Sequence, residues 1–191
     1  MKRYRLDIEK SEITWTGFQP KNEISGKVYF KAGMVCTDIG APTDGEFLID
    51  MRSIEVSDEK LDEDSKIKIG AHLKSRDFFS TDLYPTAILK IKSIKPLNRE
   101  KEDSDNSFRI TNPTHEVTAS LTIKDSAHEI KFPVKIILAD DNFRADVKLH
   151  IDRTQWNIDF MIEESFGEKK IKPLFDVDVK ITATVIDEFD A

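Results

Sequence analysis

Few residues in this 191-residue chain could do chemistry through local spacing alone. There are four histidines, His72, His115, His128 and His150, and a single cysteine, Cys36. No two histidines stand four apart, as a helical metal pair would need, and none falls in an acid-rich metal loop. His150 and Asp152 would share one strand face and come nearest to a ligand pair. The same spacing suits an exposed, hydrogen-bonded strand histidine equally well. One cysteine provides neither a disulfide framework nor a cysteine zinc site, and Cys36 is read as packing before nucleophile. Seven glycines leave little material for a phosphate loop, and no nucleophile elbow or EF-hand loop is present. Asp152-Arg153, beside Trp156, could hold a corner by a bidentate contact or meet a polar ligand head at a cavity mouth. An acid–base set assembled only in space would leave no local signature. An enzyme acting on a lipid-like substrate through Asp152, Arg153 or His72 is therefore carried as an alternative.

Charge narrows the classes further. Lys and Arg total 29 against 36 Asp and Glu, a formal net charge of −7. Neutralising phosphates needs clustered positive charge, so no nucleic-acid partner is expected. No run approaches the ~20 apolar residues of a membrane-spanning helix, so no stable membrane insertion is expected. The first residues are basic with no apolar stretch behind them. As written the chain is expected in the cytoplasm, and in the periplasm if a leader was removed.

The elements that would position any site are strands. Val28 and Phe30 alternate with polar residues, as do Phe47, Ile49 and Met51, then Ala87, Leu89 and Ile91. Val117, Ala119, Leu121 and Ile123 repeat the pattern, followed by Phe132, Val134 and Ile136, and by Phe143, Ala145, Val147, Leu149 and Ile151. The last such run carries Phe175, Val177, Val179, Ile181, Ala183 and Val185. Period-two alternation puts each set on one face of a pleated strand with water on the other, which predicts an antiparallel sheet. With residues 14–18 and 108–111 added, the strands number about eight or nine, fitting a closed barrel or a two-sheet sandwich in one domain over 1–191. The alternation lapses over 56–79, which has helical spacing with Ser57 as N-cap and Gly70 weakening its middle. A second short helix is expected at 163–170, and 99–107 is expected as a solvated hairpin tip.

A barrel of this size has an interior that side chains just fill, or that holds one small ligand where they do not. The inward sets carry almost no charge, so the occupant is either a dry core or a long hydrocarbon. Parity assigns the lining to Val28, Phe30, Phe47, Ile49, Met51, Leu89, Ile91, Val117, Ala119, Phe143, Ala145, Val147, Val179 and Ile181. Trp15, Phe78, Phe79 and Trp156 are expected at the mouth, with one of the adjacent Phe78 and Phe79 packing on the barrel end and the other on a neighbouring loop. A tryptophan at Ala119 or Ala145 should then block uptake and leave the fold intact. A filled barrel serving protein–protein interaction is the third reading.

The run His72-Leu73-Lys74-Ser75-Arg76-Asp77-Phe78-Phe79-Ser80-Thr81-Asp82-Leu83-Tyr84-Pro85-Thr86-Ala87 resembles the hallmark segment of the YceI-like family. Trp15-Thr16-Gly17, Gly26-Lys27-Val28, Leu121-Thr122-Ile123 and Ile151-Asp152-Arg153-Thr154-Gln155-Trp156-Asn157-Ile158 resemble further family features in order. The resemblance implies an all-β fold, a single antiparallel, lipocalin-like β-barrel with one or two short helices. It also implies binding, and by extension transport or storage, of a polyisoprenoid or isoprenoid quinone, without enzymatic activity and with links to stress. No cofactor is expected beyond such a bound amphiphile, and a homodimer is an open alternative. The chain departs from the family pattern at Asn22-Glu23-Ile24-Ser25 and at Lys124-Asp125-Ser126-Ala127, where histidines are usual, which points to a different head group.

Overall fold

A computed structural model describes residues 1–19, 22–97, 110–161 and 171–186. In chain order the strands are β1 (Lys2–Leu6), β2 (Glu12–Phe18), β3 (Glu23–Asp38), β4 (Ala41–Val56), β5 (Thr86–Pro96), β6 (His115–Ile123), β7 (Ser126–Ala139), β8 (Asn142–Asp152) and β9 (Leu174–Ile186). Helix α1 (Glu63–Lys74) follows β4, and a 3-10 turn (Arg153–Trp156) follows β8. All pairings are antiparallel, and β3 pairs with both β2 and β4, which closes the sheet.

Nine strands make an eight-stave barrel because β1 and β2 share one position between β3 and β9. β1 pairs at the far end, with Tyr4 opposite Val35 and Val185, and β2 at the other, with Trp15 opposite Gly26 and Val177. The break between them is hydrogen-bonded by side chains in place of the ladder. Asp7 accepts the amides of Glu9 and Lys10, and the Ser11 hydroxyl accepts the amide of Thr182 and donates to its carbonyl. The alternation of Phe47–Met51, Val117–Ile123 and Phe143–Val147 is met as expected, each inward residue being buried. In β3 the register shifts between Phe30 and Ala32, so the inward set changes from Val28 and Phe30 to Gly33, Val35 and Thr37. Two-residue turns with left-handed residues close β3 to β4 at Ile39-Gly40 and β7 to β8 at Asp140-Asp141.

Several expectations need correction. The helix spans Glu63–Lys74, not 56–79, and its N-cap is Asp62, whose carboxylate accepts the Ser65 amide at 2.9 Å. Val56 is still in β4, opposite Gly26, and the buried Asp58 instead closes a tight turn by accepting the Lys60 amide. Phe78 and Phe79 lie beyond the helix, in turns tied back to Ser75 and Leu73. Ile110 and Thr111 are not in a strand, and β1 was not anticipated. The expected helix at 163–170 and hairpin tip at 99–107 lie outside the described residues.

The two barrel ends differ. One, here the cap end, carries the β2–β3 connection, α1 and the 3-10 turn. At this end Gly26 lets Trp15 lie against the β3–β4 pair. A Cβ on Gly26 would stand 1.9 Å from the Glu55 carbonyl oxygen and 2.4 Å from the indole ring. The opposite, far end carries the β3–β4 and β7–β8 hairpins, and there Tyr4 packs beside Phe143, with ring centres 6.1 Å apart.

Candidate functional site

The inward faces do not fill the barrel. A cavity of about 240 Å³ runs inside it, far more than the ~15 Å³ that admits one water. Its wall draws on every stave: Trp15, Val28, Phe47, Leu89, Val117, Val134, Val147 and Val179 contribute one residue each from β2 to β9. Of the residues expected to line it, Val28, Phe30, Phe47, Ile49, Met51, Leu89, Ile91, Val117, Phe143, Ala145, Val147, Val179 and Ile181 do so. Phe78 and Phe79 both border it, so neither is diverted to a neighbouring loop, and Trp15 belongs to the wall itself.

Two expected residues do not reach the cavity. Ala119 is 0% exposed, lying between its cross-strand partners Ile91 and Ile130, which line the cavity in its place. Trp156, the last residue of the 3-10 turn, is 1% exposed. Its indole N–H donates to the Leu121 carbonyl at 3.3 Å and its ring meets His128 edge-on. Parity placed Ala119 correctly on the inward face, but depth beneath larger neighbours is a property of cross-strand register, which alternation does not encode.

At the cap end the wall changes character. Leu73, Phe78, Phe79, Ile171, Lys172 and Arg153 border the cavity there. Among the described residues, Arg153 and Lys172 are the only charged members of the wall. The tip of α1 is pinned by aromatic contacts, with His72 edge-on to Phe78 at 5.1 Å and to Phe160 at 4.7 Å. The Asp77 carboxylate accepts from His72 Nε2 at 2.9 Å.

Arg153 does not pair with Asp152. The Asp152 carboxylate caps the 3-10 turn, accepting the Thr154 amide at 3.0 Å and its hydroxyl at 2.7 Å. The Arg153 guanidinium donates instead to four main-chain carbonyls: Lys172 from Nε, Ile158 from Nη1, and Phe160 and Ile171 from Nη2. Burial pushes its pKa down from the ordinary guanidinium value, while Asp159 and Asp152 act the other way. An arginine starts high enough to stay charged regardless. No carboxylate of the described residues lies within ion-pair distance of it, and the side chain is buried. The exposed Lys172 adds a second cation at this end, its ammonium 5.4 Å from the centre of the Phe18 ring.

The other candidates for chemistry are not assembled into one site. His150 pairs with Asp176 across β8 and β9 rather than with Asp152. His115 is joined through Nδ1 to the Thr114 hydroxyl at 2.8 Å, near the far end. Cys36 faces outward beside Asp44, where burial and that carboxylate raise its thiol pKa. Among the described residues no group of three potential metal ligands occurs, and no helix is long and apolar enough to cross a membrane.

A closed antiparallel barrel around an apolar cavity, with Arg153 and Lys172 at its capped end, defines a lipocalin-like fold. The chain belongs to the YceI-like domain family, whose model matches residues 4–184. Among solved structures it is similar to BcnA of Burkholderia cenocepacia, at 19% identity and TM-score 0.70, covering 94% of this chain and 99% of that one. It is also similar to a polyisoprenoid binding domain from Saccharophagus degradans implicated in plant cell wall breakdown, at 13% identity and TM-score 0.64, covering 96% and 98%. A Campylobacter jejuni YCEI protein matches at 15% identity and TM-score 0.54, covering 83% and 84%. At these identities the likeness is one of fold. No curated protein matches the sequence.

Proposed function

We propose that this protein binds a long apolar lipid, a polyisoprenoid or an isoprenoid quinone, inside the barrel. The observation that carries this reading is the open interior, walled by aliphatic and aromatic side chains. Away from Arg153 and Lys172 the aliphatic and aromatic wall gives water no partners, whereas each buried CH₂ of a ligand contributes about 0.8 kcal/mol. A chain of about 20 carbons would gain of order 15 kcal/mol before association and ordering costs. The Saccharophagus domain of the same fold, described as polyisoprenoid-binding, supports the choice of ligand class.

Polarity sets the orientation. The ligand's polar head lies at the cap end, near Arg153 and Lys172, and its tail runs toward Phe143 and Val35. A quinone carbonyl or a phosphate would each present an acceptor to these cations. The enzymatic reading has less support: Asp152 caps a turn, Arg153 holds carbonyls, and His72 stands in an aromatic cluster.

Native mass spectrometry of freshly purified protein tests the proposal. A discrete non-covalent adduct, or formation of a one-to-one complex with added farnesol, is the expected result. Bare protein that takes up no added prenol would overturn it.

A further inference from the structure

The barrel wall is not equally complete all the way round. β8 and β9 are joined over eleven residue pairs, Asn142–Asp152 against Leu174–Thr184, but β4 and β5 over only five, Glu46–Asp50 against Thr86–Lys90. Beyond Glu46 and Lys90, toward the far end, the remainder of β4 pairs with β3 and the remainder of β5 with β6. A register shift in β5 between Ile91 and Ser93 falls where the two strands part. The result is a slit in the wall.

A groove lies outside this slit, with a volume of about 710 Å³. Ile8, Ala32, Met34 and Leu48 give it an apolar floor, and the charged Arg5, Lys31, Asp44, Glu46 and Lys90 stand along it. Ile91 borders both this groove and the internal cavity. Gly45 faces it across the slit, and a Cβ there would come within 3.2 Å of the Ile91 Cδ1. One side chain therefore separates inside from outside. At the far end, by contrast, the axis is blocked by Tyr4 and Val35, each 1% exposed. A chain longer than the cavity cannot leave along the barrel axis past these two.

We propose that the slit between β4 and β5, closed by Ile91, is a side portal through which the tail of a long isoprenoid leaves the cavity to lie on the Ala32–Met34–Leu48 groove. The proposal rests on the lipid-binding reading above and adds that ligand length is not limited by the cavity. The occupant is the ligand's own tail because the groove continues the cavity wall and its floor is apolar. Each methylene laid on that floor adds binding free energy that a short ligand cannot collect.

Cys36 lies in the groove and is the chain's single cysteine, so it reports occupancy without a mutation. The unaltered protein is loaded with farnesol or with the much longer solanesol from detergent, and N-ethylmaleimide labelling of Cys36 is followed. Solanesol should slow labelling about tenfold, while farnesol should bind and leave the rate unchanged. In parallel Met34→Glu, or the exposed Ala32→Glu should the first fold poorly, should weaken solanesol about tenfold and farnesol less than twofold. If both prenols bind but neither the labelling rate nor the variants distinguish them, the portal is wrong and the lipid reading stands. If neither prenol binds, the lipid reading falls and the portal with it.

Discussion

The guanidinium carbon of Arg153 lies 5.6 Å from the centre of the Phe78 ring, so the buried cation and an aromatic wall of the cavity support one another. The contact links the 3-10 turn after β8 to the segment after α1, two parts of the chain that share no ladder. The same guanidinium gathers the carbonyls of Ile158, Phe160, Ile171 and Lys172. The cap end is thus organised around one side chain.

Replacing Arg153 with methionine keeps much of the volume and leaves those four carbonyls without their donor. Unsatisfied buried polar groups cost about 1–3 kcal/mol each, moderated where water reaches them. Arg153→Met is expected to lose about 3 kcal/mol or more in urea denaturation, and Arg153→Lys nearly as much because an ammonium cannot span all four acceptors. A loss under about 1 kcal/mol for both would show that the cap end is held by other contacts.

Helix α1 depends on its cap more than on its composition. Asp62 accepts the Ser65 amide and hydroxyl, both at 2.9 Å, and Glu63 and Asp64 follow in the first turn. Asp62→Ala is expected to cost about 1 kcal/mol. Amide hydrogen exchange should quicken across Glu63–Lys74 and stay unchanged in β8 and β9. Uniform quickening across the barrel would count against a local role.

The strand framework was legible because its signal is local: alternation over five or more residues with water on one side. That signal found Val28 through Ile181 as wall residues. It failed where a second strand decides the outcome. The register shift at Lys31, the depth of Ala119 and the burial of Trp156 all depend on partners far away in sequence. β1 escaped notice because Tyr4 and Leu6 alone alternate in a basic segment, although Tyr4 is almost wholly buried. Adjacency offers Asp152-Arg153 either as a bidentate corner or as a pair at the cavity mouth; the bidentate contact is not made, and Arg153 alone borders the cavity. The backbone changes from strand to 3-10 turn between them: Asp152 turns back to cap Thr154, while Arg153 reaches the carbonyls of Ile158, Phe160, Ile171 and Lys172. The helix begins at Glu63 and not near Ser57 because the acidic residues after Ser57 form a turn, which shares the composition of a helix cap.

Stability should fall on mild acidification through His115. Its imidazole is partly buried at the far end of the barrel, and that burial pushes its pKa below the ordinary value of 6.5. The unfolded chain therefore takes up the proton first as pH falls. Stability is full above pH 6.5, and this contribution is lost progressively from there down toward the depressed folded value. Urea midpoints compared between pH 7.5 and 5.5 should drop for the natural chain and drop less for His115→Gln. An identical pH dependence in both would rule His115 out as the source.

Two alanines separate a wall with space behind it from one without. Ala145 borders the cavity, whereas Ala119 is 0% exposed beneath Ile91 and Ile130. A phenylalanine at 145 projects into the void and meets few atoms, so Ala145→Phe should keep its stability within about 1 kcal/mol. The ring then occupies the ligand's place, and farnesol binding should weaken by about tenfold or more. A phenylalanine at 119 has no such room, and its added atoms must displace packed side chains. Ala119→Phe should lose about 1–3 kcal/mol in urea denaturation, a cost of overpacking, without a matching selective loss of prenol binding in the folded fraction. Reversal of this pattern, with Ala119→Phe stable and unable to bind while Ala145→Phe binds normally, would place the cavity on the wrong side of the β5–β6 wall.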